Sequence, residues 1–169
     1  HGHGKMTYKG NVYEGVWEHG KLHNGKRTYA NGDVYEGVLL HGNPHGRGKM
    51  ACVDGDVHEG MWEHGNPHGH GKMTYKGNVY EGVWEHGKLH NAKVTYANGA
   101  VFEGVWEHGI RHGLGKMTYA SGGVYEGMWE QDKNHGHGKM TYKGNVYEGV
   151  WEHGKLHNGK RTYANGDVY

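Results

Sequence analysis

The chain of 169 residues is short of the side chains that fill ordinary cores: apolar residues make up 34% of it, and Phe occurs once, at Phe102. Globular domains run nearer ~45–50% apolar with glycine counted in; here glycine, which brings no side chain to a core, would have to supply much of that share, so a two-layer domain around one thick core is not expected. Cysteine occurs once, at Cys52, which excludes an internal disulfide and favours a reducing compartment. Ser121 is the only serine, and neither it nor Cys52 sits in a nucleophile motif. "GKMTY" and "GRGKM" share only their glycine content with phosphate loops, because no Gly-x-x-x-x-Gly-Lys-Ser/Thr is present. No apolar run approaches the ~20 residues of a spanning helix. Charge of neither sign is in excess, with 19 basic and 18 acidic side chains and a net +1 when histidine is neutral. Bulk charge therefore steers the chain to neither nucleic acid nor anionic lipid.

What the chain has is glycine, 34 residues of it, with 13 Tyr, 6 Trp and 18 His. Glycine at that level reads as disorder only where aromatics are scarce, and here they recur at fixed spacing. Tyr-Glu-Gly or its variant falls at Tyr13, Tyr35, His58, Tyr80, Phe102, Tyr125 and Tyr147, in steps of 22 or 23 residues. A longer period of 67 residues lies above this one, since residues 1–35 are identical to 135–169 and 1–24 to 68–91. The expected organisation is one continuous array over 1–169, with super-repeats 1–67, 68–134 and a partial 135–169. The chain starts at His1 and stops inside a repeat, which reads as an excerpt of a longer array.

Each repeat predicts a β-hairpin. "KMTY" (Lys5–Tyr8) is a short strand, "KGN" or "ANGD" is a turn, and "VYEGVW" (Val12–Trp17) is the return strand. "EHGKLHNG" (Glu18–Gly25) reads as a glycine-rich connection of seven residues before Gly25, against eight in the next two repeats. With a strand period of two, Tyr13, Gly15 and Trp17 share a face, and Val12, Glu14 and Val16 share the other. The glycine between two rings leaves a hollow for a ring from a neighbour. The same ladder continues through Tyr35, Gly37, Trp62, Tyr80, Gly82, Trp84, Phe102, Gly104, Trp106, Tyr125, Gly127, Trp129, Tyr147, Gly149 and Trp151. These residues are the expected structural ladder and the candidate contact face. The expected fold is all-β, an elongated single-layer antiparallel sheet of tandem hairpins, stabilised because each hairpin buries the rings of the next.

The pattern Tyr-Glu-Gly-x-Trp-x-x-Gly-x-x-His-Gly-x-Gly, then Tyr-x-x-Gly-x-x-Tyr-Glu-Gly, resembles the MORN repeat. The fullest match runs from Phe102 through Gly115 and on to Trp129. Leu39 stands where the pattern has tryptophan, His58 and Phe102 where it has tyrosine, and the "HNGK" connections at His23 and His157 are one residue short, which puts local register in question. The resemblance implies a solenoid-like ribbon of hairpins that serves as a scaffold, dimerisation or targeting part, with any catalysis in another domain.

The remaining residues are read against plainer accounts. The "HGHG" and "EHG" histidines could suit a metal, but equivalent histidines of successive repeats should stand ~9–10 Å apart, too far for one ion with ~2.1 Å bonds. No metal, cofactor or catalytic residue is expected. The glutamates of Tyr-Glu-Gly repeat one environment, whereas an acid/base pair needs two different ones, so they read as structural partners of Lys or His. Lysines and arginines such as Lys5, Lys9, Lys26, Arg27, Lys49, Lys72 and Lys76 alternate with glutamates, unlike the uncompensated clusters that bind headgroups. The leading expectation is a non-enzymatic scaffold or spacer for protein–protein assembly, intracellular and cytoskeletal, ciliary or filament-forming, with self-association through sheet edges or ends. The alternatives are a phosphoinositide-targeting module of a larger enzyme, with weak anionic-lipid binding, and an extracellular histidine-rich filament that binds metal or responds to pH.

Overall fold

A computed structural model describes all residues from His1 to Tyr169. The protein is all-β, with fifteen antiparallel strands in one open sheet whose spatial order follows the sequence from β1 to β15. The strands form two compact units, His1–Lys88 and Leu89–Tyr169. The first holds β1 (Gly2–Tyr8), β2 (Asn11–Glu18), β3 (Lys21–Thr28), β4 (Val34–Leu40), β5 (Asn43–Ala51), β6 (Val57–Glu63), β7 (Asn66–Tyr75) and β8 (Asn78–Glu85). The second holds β9 (Lys88–Thr95), β10 (Val101–Glu107), β11 (Ile110–Thr118), β12 (Val124–Glu130), β13 (Lys133–Tyr142), β14 (Asn145–Glu152) and β15 (Lys155–Thr162).

The expected connection Glu18–Gly25 is corrected: most of it is strand. Only His19–Gly20 turns the chain, and β3 begins at Lys21. The reason lies in backbone geometry. His19 and Gly20 have φ of 47° and 75°, as Lys9 and Gly10 have 47° and 77°. Two consecutive positive φ values make the tight hairpin turn whose twist matches its strands. His-Gly therefore does here what Asn-Gly does elsewhere, and six of the eleven non-glycine residues at positive φ are histidines. The four-residue turns use a different device. Tyr29 N–H donates to Asp33 O at 2.8 Å, Gly32 N–H to Tyr29 O at 2.9 Å, and Asp33 N–H to the Asn31 side chain at 3.0 Å. Cys52 holds the same position as Tyr29, with Cys52 N–H on Asp56 O at 2.8 Å.

Connections of unequal length leave the central register untouched, because bulges absorb the difference. Gly15 faces Gly25 and Trp17 faces Leu22, so β3 carries one surplus residue opposite β2. Gly37 faces Gly48 and Leu39 faces Pro44, so β5 carries two surplus residues opposite β4. The longer bulges hold a glycine at positive φ, such as Gly46 at 66° and Gly69 at 75°.

Candidate functional site

The register builds three parallel rows across the strands. In the middle row every strand of the first unit contributes a glycine, from Gly4 through Gly15, Gly25, Gly37, Gly48, Gly60 and Gly71 to Gly82. The second unit runs from Ala92 through Gly104, Gly115, Gly127, Gly138 and Gly149 to Gly159. Strand glycine normally weakens a sheet. Here the space above it is occupied. A Cβ on Gly48 would overlap the Tyr35 phenol, one on Gly138 the Tyr125 phenol, and one on Gly115 the Phe102 ring. A Cβ on Gly60 would lie 2.5 Å from the Gly71 backbone. The row is therefore the floor on which the rings lie, and beneath a ring, as at Gly48, Gly115 and Gly138, only glycine is thin enough for it.

Rings of the central repeats fold over this floor and meet indoles edge-on, two each for His58, Phe102 and Tyr125 and one for Tyr35. Tyr125 stands 5.2 Å from Trp129 of its own hairpin and 5.3 Å from Trp151 of the next, at interplanar angles of 90° and 83°. Phe102 repeats this with Trp106 at 5.5 Å and Trp129 at 5.3 Å. In the first unit Tyr35 meets Trp62 at 5.5 Å, and His58 lies between Trp62 and Trp84 at 5.0 and 4.9 Å. Edge-to-face pairs of this kind add ~0.5–1.5 kcal/mol beyond the area they bury. The polar tips find partners on the floor. Indole N–H groups of Trp17, Trp62, Trp129 and Trp151 donate to the carbonyls of Gly4, Gly48, Gly115 and Gly138 at 3.0–3.1 Å. The Tyr35 and Tyr125 hydroxyls donate to Val38 O and Met128 O at 2.9 and 3.0 Å. Both phenols are pushed up to about 12 by burial, with Tyr29 and Tyr119 respectively adding to the effect.

Among the ladder residues named from sequence, Tyr35, Trp62, Trp84, Phe102, Trp106, Tyr125, Trp129 and Trp151 are buried, while Tyr13, Trp17, Tyr80 and Tyr147 are half-buried. The structure brings the rings of each unit together with their glycines. Sequence reasoning missed half of the floor, the glycines of the outgoing strands, whose "HGHGK" and "HNGK" setting resembled loop. It also missed two arginines. Arg111 lies 4.7 Å from the Trp129 ring while its guanidinium pairs with Asp132 at 2.9 Å. Arg27 lies 4.2 Å from the Tyr29 ring and donates to Gly42 O at 2.9 Å. A stacked, hydrogen-bonded arginine is not readable from a charge count.

The opposite face carries the third row, in which lysine and glutamate alternate strand by strand. It runs Lys5, Glu14, Lys26, Glu36, Lys49, Glu59, Lys72, Glu81 in the first unit and Lys93, Glu103, Lys116, Glu126, Lys139, Glu148, Lys160 in the second. Lys72 and Glu81 approach to 3.5 Å, Lys93 and Glu103 to 3.8 Å. These glutamates are half-exposed, so each pair is worth little alone. Their regularity matters more, because every cation has acidic neighbours. Burial, then Asp33, Asp54 and Asp56, push the Cys52 thiol up and disfavour the thiolate.

Two open grooves remain on the aromatic face. In the second unit Met140, Tyr142, Tyr147, Trp151, Lys155 and Leu156, with Tyr119 and Arg161, line a groove of about 680 Å³. In the first unit Met6, Tyr8, Tyr13, Trp17, Lys21 and Leu22 line one of about 360 Å³. The six residues match position by position across the internal duplication. Tyr8 and Tyr142 are exposed in them.

A family model described as MORN repeat matches residues 1–11, 13–34, 35–57, 58–78, 80–91, 102–124, 125–145 and 147–168, eight stretches that tile almost the whole chain. Among solved structures, the TCP domain of SAS-4 (dCPAP) of Drosophila melanogaster, solved in complex with a proline-rich motif of Ana2 (dSTIL), is similar over 99% of this chain and 88% of its own. The TM-score is 0.53 and the identity 12%, a likeness of fold. No curated protein gives a significant match.

Proposed function

The chain belongs to the MORN repeat family, and from that premise we propose that it is a non-catalytic docking scaffold for protein partners in a cytoskeletal, ciliary or filament assembly. The observation that carries this reading is the recurrence of one groove, Met-Tyr-Tyr-Trp-Lys-Leu, in both units. The buried rings hold the sheet together and are not free to bind. Tyr8 with Tyr13, and Tyr142 with Tyr147, leave an aromatic trough that suits an extended, proline-rich segment. Such a segment docks on aromatic rings with little ordering cost because its polyproline helix is preformed. The SAS-4 TCP domain, which shares the fold, was solved with a segment of that kind. Self-association is the second element of the proposal: every residue of the edge strand β1 is exposed, and an open edge invites another strand.

Phosphoinositide targeting is the weaker reading, since the Lys/Glu row offers headgroups no uncompensated cluster. The test is a tryptophan-fluorescence titration of the full chain with a proline-rich peptide. Replacing Tyr8→Ser and Tyr142→Ser together should weaken binding roughly tenfold. Unchanged affinity, or no peptide binding beside salt-sensitive sedimentation with phosphoinositide vesicles, would overturn the docking reading.

A further inference from the structure

The ~9–10 Å spacing that argues against metal applies to equivalent histidines. The structure juxtaposes inequivalent ones. The turn histidine of one hairpin comes to lie against the bulge histidine of the preceding connection: His45 and His64 stand 5.6 Å apart, His68 and His86 5.5 Å, and His135 and His153 6.2 Å, ring centre to ring centre. A backbone latch sets this up. Gly87 N–H donates to Pro67 O at 2.9 Å, which fastens the His86 turn beside the bulge that carries His68. Gly65 to Pro44 and Gly154 to Asn134 are the same latch, each at 2.9 Å.

A carboxylate completes one of these pairs. Glu63 closes β6, five residues before His68, and its Oε2 lies 3.5 Å from His68 Nδ1. The donor atoms of Glu63, His68 and His86 all lie within 4.8 Å of one another. Two ligands bonded at ~2.1 Å to a tetrahedral ion stand ~3.4 Å apart, so the Glu63–His68 edge is already at that length, and small side-chain rotations close the rest. His68 Nδ1 is shut off from solvent without a hydrogen-bond partner, a nitrogen lone pair or N–H that nothing else in the fold uses. Two imidazoles and a carboxylate suit zinc, cobalt, nickel or copper rather than calcium or magnesium, which prefer all-oxygen sites.

We infer that Glu63, His68 and His86 form a site for a divalent transition-metal ion, zinc in class, that clips two successive hairpins of the first unit together. The chain contains its own controls. Leu40, His45 and His64 occupy the same three places without a carboxylate, and Glu107, His112 and Gln131 occupy them without the second imidazole. Glu130, His135 and His153 repeat the set, with the rings further apart.

The experiment is a titration of the full chain with Zn2+ against a chromophoric chelator, with the visible absorption of Co2+ as a geometric readout. One tight site per chain is expected. His86→Asn, which suits the left-handed turn, combined with Glu63→Gln should weaken it tenfold or more, as loss of ligands does. Glu130→Gln with His153→Asn should leave it unmoved. Zinc should raise the thermal midpoint of the parent and not that of the first variant, with Glu63→Gln alone serving if the pair impairs folding. Equal Zn2+ affinity in parent and Glu63/His86 variant, or a tightest site that moves only with Glu130 and His153, would overturn the assignment.

Discussion

The two units solve the same packing problem with different side chains. In Leu89–Tyr169 the column reads Trp106, Phe102, Trp129, Tyr125, Trp151, each ring edge-on to the next. In His1–Lys88 the corresponding column contains Leu39 in an indole position and His58 in a phenol position, both buried. The glycine floor shows no such latitude: each strand from β1 to β8 supplies a glycine, and the second unit makes one exception, Ala92. The lesson is that volume above the floor can be filled in several ways, because a leucine or an imidazole buries comparable surface, whereas clearance beneath a ring is met by glycine alone at positions such as Gly48 and Gly138. His58 still differs from the phenols in one respect. Its Nε2 is buried without a hydrogen-bond partner, where the Tyr35 and Tyr125 hydroxyls reach carbonyls.

The largest expected effect tests the floor in both units at once. Gly48→Ala and Gly138→Ala each drive a methyl into a phenol that cannot retreat, and each should cost on the order of 3 kcal/mol, read as a loss of thermal midpoint of similar size in the two. A cost confined to one unit would break the parallel.

The next effect should separate the units. Burial holds the His58 imidazolium down, with a pKa of about 4 against an ordinary 6.5. Between those values the unfolded chain carries the proton and the folded chain does not, so unfolding takes up a proton and stability falls as pH drops. The loss attributable to His58 should reach about 3 kcal/mol by pH 4. His58→Tyr should remove that component, measured as the difference between denaturant-unfolding series of parent and variant from pH 7 to pH 4. Parallel pH profiles would show that His58 does not titrate between two indoles.

The smallest effect concerns the far face, where the units are alike. Glu126→Lys sets three cations side by side with Lys116 and Lys139. It should destabilise by about 0.5–1 kcal/mol at low ionic strength, less with added salt. A salt-independent cost would mean that the row acts by packing and not by charge.

Much of this was legible in the sequence, and the boundary of what was legible is physical. Tyr-Glu-Gly-x-Trp shows its face by period two, so the return strands and the ring–glycine–ring motif could be read from residues such as Tyr125, Gly127 and Trp129. The outgoing strands could not. "HGHGKM" is two-thirds glycine and histidine, and only its pairing with the return strand makes His137–Gly138 a strand instead of a loop. The His-Gly turns were hidden for a related reason: histidine is uncommon at positive φ, and the usual hairpin signal is Asn-Gly. The histidine pairs depended on where those turns fall, so they surfaced only with the register in hand. The grooves needed side-chain volumes that spacing alone does not give.

The alternating signs of the far row act as a parity rule. Any rearrangement that removes or inserts an even number of strands leaves every lysine beside glutamates, and any odd slip sets like against like. Whole hairpins can therefore be added, lost or exchanged with another copy without electrostatic cost at the seam, while a single misplaced strand is penalised along its neighbours. The row therefore favours a length counted in pairs of strands, by a margin as small as the exposed pairs that compose it.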